Sequence, residues 1–350
     1  MQHNLGTPPD PPPGIKPVRG PATWRWIIVS GILAILIAGA NWIPIPIFYA
    51  YIPGPIRDAE DLVEVGDAKT YSSEGSLYLT TVNVDVEVTL RDWVTAVIDP
   101  TRTIVLKEQV TGGTSLEELE KRQAAEMDAS QQNAQQVALA ALGIAEPKGR
   151  GARVIDTIDE TPAADVLKKG DVIVSVDDTK VSTTCEVGRA IDKHEVGEDV
   201  ELTVRRAGEK ETLSLETARN PGDPAAPFIG VYMEDVAYEF DPGFEVEFRT
   251  GEIAGPSAGL MFALALYDRL TPDDLTKGRE IAGTGTIACD GGVGAIGGIE
   301  QKIAAAETKG AEIFLTPAGN VEAAEATADD IRIVSVSSFD DALRFLEGLE

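Results

Sequence analysis

The sequence predicts an α+β protein with about two folded units behind an apolar N-terminal segment. Three observations carry that expectation. With 350 residues, the chain has the length of about two domains. Its apolar fraction of 43% suffices for a sizeable core. Beyond residue 70, runs with the two-residue period of strands stand among runs with helical periodicity, and before it lies an uncharged stretch at residues 26–52.

Residues 1–25 are rich in proline and bury too little apolar surface to fold, so they read as a disordered cytoplasmic tail. Residues 26–43 carry no charge, and with the aromatic-rich extension to residue 52 they can span ~30 Å of hydrocarbon as a transmembrane helix. Trp24, Trp26 and Trp42, then Phe48, Tyr49 and Tyr51, fall where interfacial aromatic belts would lie. Lys16, Arg19 and Arg25 precede the run, whereas Arg57 follows it among Asp58, Glu60, Asp61 and Glu64. The positive flank stays in the cytoplasm, which places the rest of the chain on the extracytoplasmic side of the cell membrane. Ala38-Gly39-Ala40 resembles a signal-peptidase site, the alternative to a retained anchor. The long preceding tail and the continuation of the apolar run favour retention. In an oxidising compartment Cys185 and Cys289 could pair, but they fall in different folded segments and are expected as two separate buried thiols.

Composition removes several functions. Lys+Arg number 30 and Asp+Glu 58, a net charge of −28. Nucleic-acid binding needs a basic face, so no nucleic-acid partner is expected. The only histidines are His3 and His194, and with two cysteines no Cys/His zinc cluster can be assembled. Neither H-E-x-x-H nor G-x-x-x-x-G-K-[ST] occurs, which excludes a zincin and a P-loop ATPase. No cofactor is expected.

Within residues 70–115, Val82, Val84, Val86 and Val88 share one face while Asn83, Asp85 and Glu87 take the other. This predicts a strand over residues 76–88 with one face buried. A short helix is expected at residues 91–98, ending at Asp99-Pro100, and a second strand at residues 103–110, before Gly112-Gly113. Ser115 and Glu118 form a capping box that opens a long helix ending near Gly143. Its apolar anchors are Leu116, Leu119, Val137 and Leu142 on a Gln-rich polar surface, so residues 115–145 read as a connector packing on one stripe. Sustained heptads, which a coiled coil requires, are absent.

Residues 146–218 read as a compact unit, with strands at 152–155, 172–176 and 200–204 and helices at 163–167 and 185–191. The string TPAADVLKKGDVIVSVDDTKV and the helix and strand after it resemble a bacterial PDZ domain. That resemblance implies binding of an extended peptide at a sheet edge, with a carboxylate-capturing loop near residues 149–154. His194 falls in an apparent exposed turn of this unit. Residues 220–227 are a linker by composition.

Residues 225–350 form a second unit, with helices expected at 256–269 and 298–309, a strand at 313–315 and a terminal helix. Gly292-Val-Gly-Ala-Ile-Gly297 is formally a dinucleotide fingerprint. The acidic residue required ~20 positions further on is replaced by Thr316-Pro317, and Asp290-Gly291-Gly292 reads as a hairpin turn. Gly255-Pro-Ser-Ala-Gly259 carries more chemistry. Pro256 suits the first helical position, which puts Ser257 where free N–H groups favour developing negative charge. Lys302 opens the next helix in apolar surroundings, and desolvation there lowers an amine's pKa toward the range of a general base. A Ser–Lys pair needs no more than that, and no histidine is available nearby. Taken singly, Ser257 could be a helix cap and Lys302 a solvated helix residue; together they favour the dyad.

The segments GPSAG and AGTGTIACDGGVGAIGGIEQKIAAAETKGAEIFLTP resemble the proteolytic domain of Lon proteases. The order of anchor, PDZ-like unit and Lon-like domain resembles membrane-anchored, ATP-independent Lon-like proteases of bacteria. The resemblance implies an α+β Lon proteolytic domain, of the ribosomal protein S5 domain 2-like fold, into which the long helix and the PDZ unit are inserted. It implies Ser257 as nucleophile, Lys302 as general base and Thr284 as the hydroxyl that orients the lysine. It further implies polypeptide substrates, homo-oligomeric assembly and no use of ATP. The chain departs from the family at Ala254, where an acidic residue is common, and at Glu300-Gln301, where the family has Lys-Glu. A PDZ peptide-binding scaffold of the cell envelope, non-catalytic or only self-cleaving, is the competing expectation.

Overall fold

A computed structural model describes residues 26–32, 39, 44–99, 101–221, 226–251 and 253–349. The expected tail, residues 1–25, lies outside them, as does much of the expected span. Residues 26–32 are helical and exposed, and no helix among the described residues is long and apolar enough to cross a membrane. The end of the expected span is corrected outright. Strand β1 is Phe48–Asp58, so residues 48–52, including the aromatic belt of Phe48, Tyr49 and Tyr51, belong to a sheet. Their backbone groups are satisfied on both sides: β1 runs antiparallel to β3 (Ser76–Asp85), and its first residues also to β4 (Thr103–Leu106). Pro53 and Pro55 fall beyond the β4 edge, where no ladder N–H is needed on that side. The first folded unit therefore begins before residue 70. Between β1 and β3, the short β2 (Val63–Val65) pairs with a later strand.

The valine pattern finds β3 but misplaces its burial. The strand ends at Asp85; Val84 and Val86 are exposed, Val82 is half-buried and Val88, beyond the strand, is buried, whereas Leu77 and Leu79 on one face and Tyr78 and Thr80 on the other are buried. The N-terminal half of β3 lies in mid-sheet; the valine half reaches the edge of a cleft. Helix α1 (Leu90–Ile98) is closed by a Thr89/Asp92 capping box. The second strand is shorter than expected: after β4 the chain turns into a helical segment, α2 (Lys107–Thr111), fixed when Leu106 N–H donates to Gln109 Oε1.

Helix α3 (Leu116–Ala141) starts at Ser115, whose Oγ accepts from Glu118 N–H. It is a core helix rather than a connector. Leu116 is exposed, and the buried stripe is Met127, Ser130, Ala134, Ala138 and Leu139, in which the small Ser130, Ala134 and Ala138 allow close approach of a second helix.

The module that follows comprises β5 (Ala152–Thr157), α4 (Pro162–Val166), β6 (Val172–Val176), α5 (Thr184–Ile191), β7 (Asp199–Arg206), β8 (Glu209–Glu216) and β9 (Val231–Asp235). Its sheet runs β9-β5-β6-β7-β8. The buried Asp171 of the Lys-Gly-Asp turn explains that motif: Arg206 Nε and Nη2 donate to its two oxygens at 2.9 and 2.7 Å, and Lys168 N–H donates at 2.8 Å. Three expectations are corrected here. The module extends past residue 218, because β9 pairs antiparallel with β5. The same pairing covers the edge of β5, so residues 149–154 do not border an open groove. His194 is largely buried, with Nε2 3.0 Å from Asp177 Oδ2.

The remaining chain completes the first unit with β10 (Val246–Phe248), α6 (Gly259–Leu270), β11 (Glu280–Gly283), β12 (Thr286–Ile287), β13 (Val293–Gly294), α7 (Ile299–Lys309), β14 (Ile313–Pro317), α8 (Val321–Thr327), β15 (Arg332–Val336) and α9 (Phe339–Glu347). β10 pairs with β2. The main sheet runs β15-β14-β11-β3-β1-β4, parallel from β15 to β3 and antiparallel beyond. Its alternation sorts two cores: Leu77, Leu79, Ile281 and Leu315 face α6 and α3, while Tyr78, Ala282 and Phe314 face α7 and α8. Helix α6 is buried all round from Gly259 to Leu266. Each large side chain there, such as Phe262, contributes roughly 1.5–3 kcal/mol of burial.

The cysteines are not separate thiols. Cys185, in the first turn of α5, forms a disulfide with Cys289 in the β12–β13 hairpin, across a sequence separation of 104 residues and a Cα–Cα distance of 5.9 Å. The inserted module packs back onto the unit that it interrupts, which local sequence cannot reveal.

At the far end of α6, Asp268 is buried beside Glu60, and Ser73 donates a hydrogen bond to it. Burial, followed by the neighbouring Asp268 charge, pushes the Glu60 carboxyl up to about 7. A carboxyl raised on folding holds its proton longer in the folded state, so stability is greatest below about pH 4.5 for this group and falls as pH rises to about 7. Thermal unfolding should show this decline, and Glu60→Gln should flatten it.

Candidate active site

The three residues singled out by the sequence come together at one point. Ser257 lies in a 3-10 turn, Pro256–Ala258, immediately before α6. Gly255 precedes it with φ of 83°, a conformation that a side chain would strain, and so aims the chain into the turn. Gly259 follows where backbones converge: a Cβ there would stand 2.5 Å from Ser130 Oγ and 2.6 Å from Ile287 Cγ2. The turn is held from three sides. Ser130 Oγ, on α3, donates to the Pro256 carbonyl at 2.9 Å. Gly285 N–H donates to the Ser257 carbonyl at 2.9 Å, and Thr284 Oγ1 donates to the same carbonyl at 3.0 Å.

Lys302, in the first turn of α7, is 2% exposed. Its Nζ lies 2.9 Å from the Thr80 carbonyl, 3.0 Å from Thr284 Oγ1 and 3.0 Å from Ser257 Oγ. Burial alone lowers its pKa from 10.5 to about 7; no charged group contributes. The partners fit a neutral amine. Two N–H bonds point at the Thr80 carbonyl and at Thr284 Oγ1, whose own proton is committed to Ser257. That leaves the nitrogen lone pair for the Ser257 hydroxyl proton. Ser257 itself is half-buried and opens onto a cleft of about 730 Å³, also lined by Val82, Val84, Ile253 and Gly297.

Sequence reasoning missed the supporting groups. Thr80 supplies an acceptor for Lys302 Nζ through its backbone carbonyl, which any residue carries and which leaves no side-chain signal in the sequence. Ser130 and Asn133 are polar residues on the buried side of α3, and Asn133 Nδ2 donates to the Ile287 carbonyl at 3.0 Å. The helix read as a connector thus braces both the serine turn and β12.

Two segments of the chain match known domain families. Residues 114–217 match the PDZ domain family, and residues 249–346 match the Lon protease (S16) C-terminal proteolytic domain. The Lon protease of Roseiflexus castenholzii is 39% identical over 93 residues, covering 25% of this chain and 11% of that protein. Lon protease 2 of Bacillus subtilis is 37% identical over 93 residues, covering 26% of this chain and 16% of that protein. The chain therefore spans less than a fifth of the length of either relative. A solved PDZ domain of an SdrC-like protein from Listeria monocytogenes is 26% identical, covers 24% of this chain and 87% of that one, and has a TM-score of 0.22.

A lysine whose pKa is lowered on folding is a stability burden while the unfolded chain holds the extra proton. Stability should therefore rise with pH from about 7 toward 10.5. Lys302→Met, similar in volume, should raise stability at neutral pH by on the order of a few kcal/mol and remove this slope, as read by denaturant unfolding.

Proposed function

We propose that this PDZ-containing Lon-like serine peptidase is a membrane-anchored, ATP-independent endopeptidase that cleaves extended or unfolded polypeptides on the extracytoplasmic side. The observation that carries this reading is the buried Lys302 amine 3.0 Å from Ser257 Oγ with no charged partner. Neutral Lys302 takes the Ser257 proton as Oγ attacks the scissile carbonyl. The N–H groups of Ser257 and Ala258 have no acceptor within the 3-10 turn, since Pro256 has no N–H and the first bond of the turn comes from Gly259. They are the donors suited to the developing oxyanion. The protonated lysine gives its proton to the leaving amine. Water, deprotonated by the same lysine, then releases the acyl group and restores Ser257. Thr284 and the Thr80 carbonyl hold Nζ in line throughout.

The uncharged run of residues 26–43 supports the anchor, and its flanking charges support the orientation. The Cys185–Cys289 disulfide suits an oxidising compartment. Strand β9 is an edge strand packed beside α5, which supports delivery of an extended substrate segment by strand addition there. Assembly into a homo-oligomer belongs to the same reading.

The test is digestion of an unfolded casein substrate by the full chain in detergent, without ATP. Wild type should cleave, with kcat/KM falling as pH drops below about 7, where Lys302 gains its proton. Ser257→Ala and Lys302→Ala should each lose at least a hundredfold. Equal cleavage by all three proteins would sink the mechanism. No cleavage by wild type, with peptide binding retained, would select a scaffold instead.

A further inference from the structure

Charge is distributed against the trend of the chain at the cleft. The protein carries 58 acidic and 30 basic residues. Yet among the described residues that line the cleft at Ser257 none is acidic, while Arg57, Arg249 and Lys302 are basic. The three differ in what they can do. Lys302 is buried and neutral in the mechanism above. Arg249 is already engaged, by ion pairs with Glu64 and Glu247. Arg57 takes part in no ion pair among the described residues. It sits on β1 opposite Leu79 of β3, one position along from the Ile56–Thr80 pair. Thr80 is the residue whose carbonyl receives Lys302 Nζ. A free guanidinium is therefore fixed by strand register to the same ladder that holds the base, and its side chain is exposed to the cleft.

We propose that Arg57 is a specificity residue, and that the cleft favours polypeptides with an aspartate or glutamate at one fixed position near the scissile bond. This rests on Ser257 being the nucleophile of a peptidase. A guanidinium presents a planar fork of donors that fits a carboxylate bidentately, and a carboxylate is the one peptide side chain that satisfies it with charge. The surrounding field of a −28 chain repels acidic segments at a distance. Recognition of a carboxylate thus needs this local reversal of sign. The neighbouring lining of Leu62, Val82, Val84 and Ile253 offers apolar contact to adjacent substrate side chains.

The test is a positional-scanning peptide library cleaved by the full chain, followed by matched peptides that differ only as Asp, Asn or Lys at the preferred position. Wild type should favour Asp over Asn by roughly tenfold in kcat/KM, the worth of one charge-assisted hydrogen-bonded pair in a wet site. Arg57→Ala should bring that ratio to about one, Arg57→Lys should restore part of it, and Arg57→Glu should shift the preference to Lys. Each ratio is taken within one enzyme, so loss of folded protein cancels, and a purely structural role would not invert the preference. No acidic preference in wild type, or one that survives Arg57→Ala and Arg57→Glu, overturns the proposal while leaving the peptidase reading standing. Failure to cleave any library peptide overturns both.

Discussion

Everything at this site depends on keeping one amine out of water without giving it a counter-ion. Lys302 is almost fully buried, and the groups around its nitrogen are a carbonyl and two hydroxyls. A carboxylate in any of those places would stabilise the ammonium and keep the amine protonated. The fold supplies neutral polar groups instead, each from a different element: Thr80 from mid-sheet, Thr284 from the end of β11, Ser257 from the turn before α6. Their convergence explains why the two cores exist in this form. The alternation of β3 turns Leu77 and Leu79 to α6 and Tyr78 to α7, and the Thr80 backbone carbonyl receives Lys302 Nζ.

The inserted segment is part of the same construction. Helix α3 carries Ser130 and Asn133 into contact with the serine turn and β12, and its alanines let it lie close against α6. The disulfide then ties α5 of the PDZ domain to the hairpin that follows β12. A ligand that shifts α5 would pull on the strand adjoining Thr284 and Gly285, both of which hold the Ser257 carbonyl. Helix α5 and the serine turn thus share a covalent connection through the disulfide and β12.

Legibility in the sequence followed the range of the interactions. Ser257 and Lys302 each stand in a short motif whose local chemistry is visible, Thr284 came only through the family resemblance, and scarcity of histidine pointed to a lysine base. The PDZ string announced itself through its Lys-Gly-Asp turn, which the buried Asp171–Arg206 pair accounts for. The start of β1 was hidden because residues 26–56 contain no charge, so hydropathy has no boundary where helix gives way to strand. Period two identified β3 but could not say which half reaches mid-sheet. Pairing of Cys185 with Cys289, and of β9 with β5, joins segments far apart in the chain and left no local trace. The buried seam of α3 was misjudged because Ser130, Ala134 and Ala138 share it with Met127 and Leu139, and small or polar residues give little hydropathy signal.

The most direct measurement is the titration of the Lys302 side chain itself. Carbon-13 shifts of lysine Cε in the full-length protein would be followed with pH, the Lys302 signal being identified by its absence in Lys302→Met. The account predicts that this one lysine titrates near 7. Titration of Lys302 near the ordinary value of 10.5 would mean a charged ammonium at neutral pH, and would contradict its role as the base for Ser257.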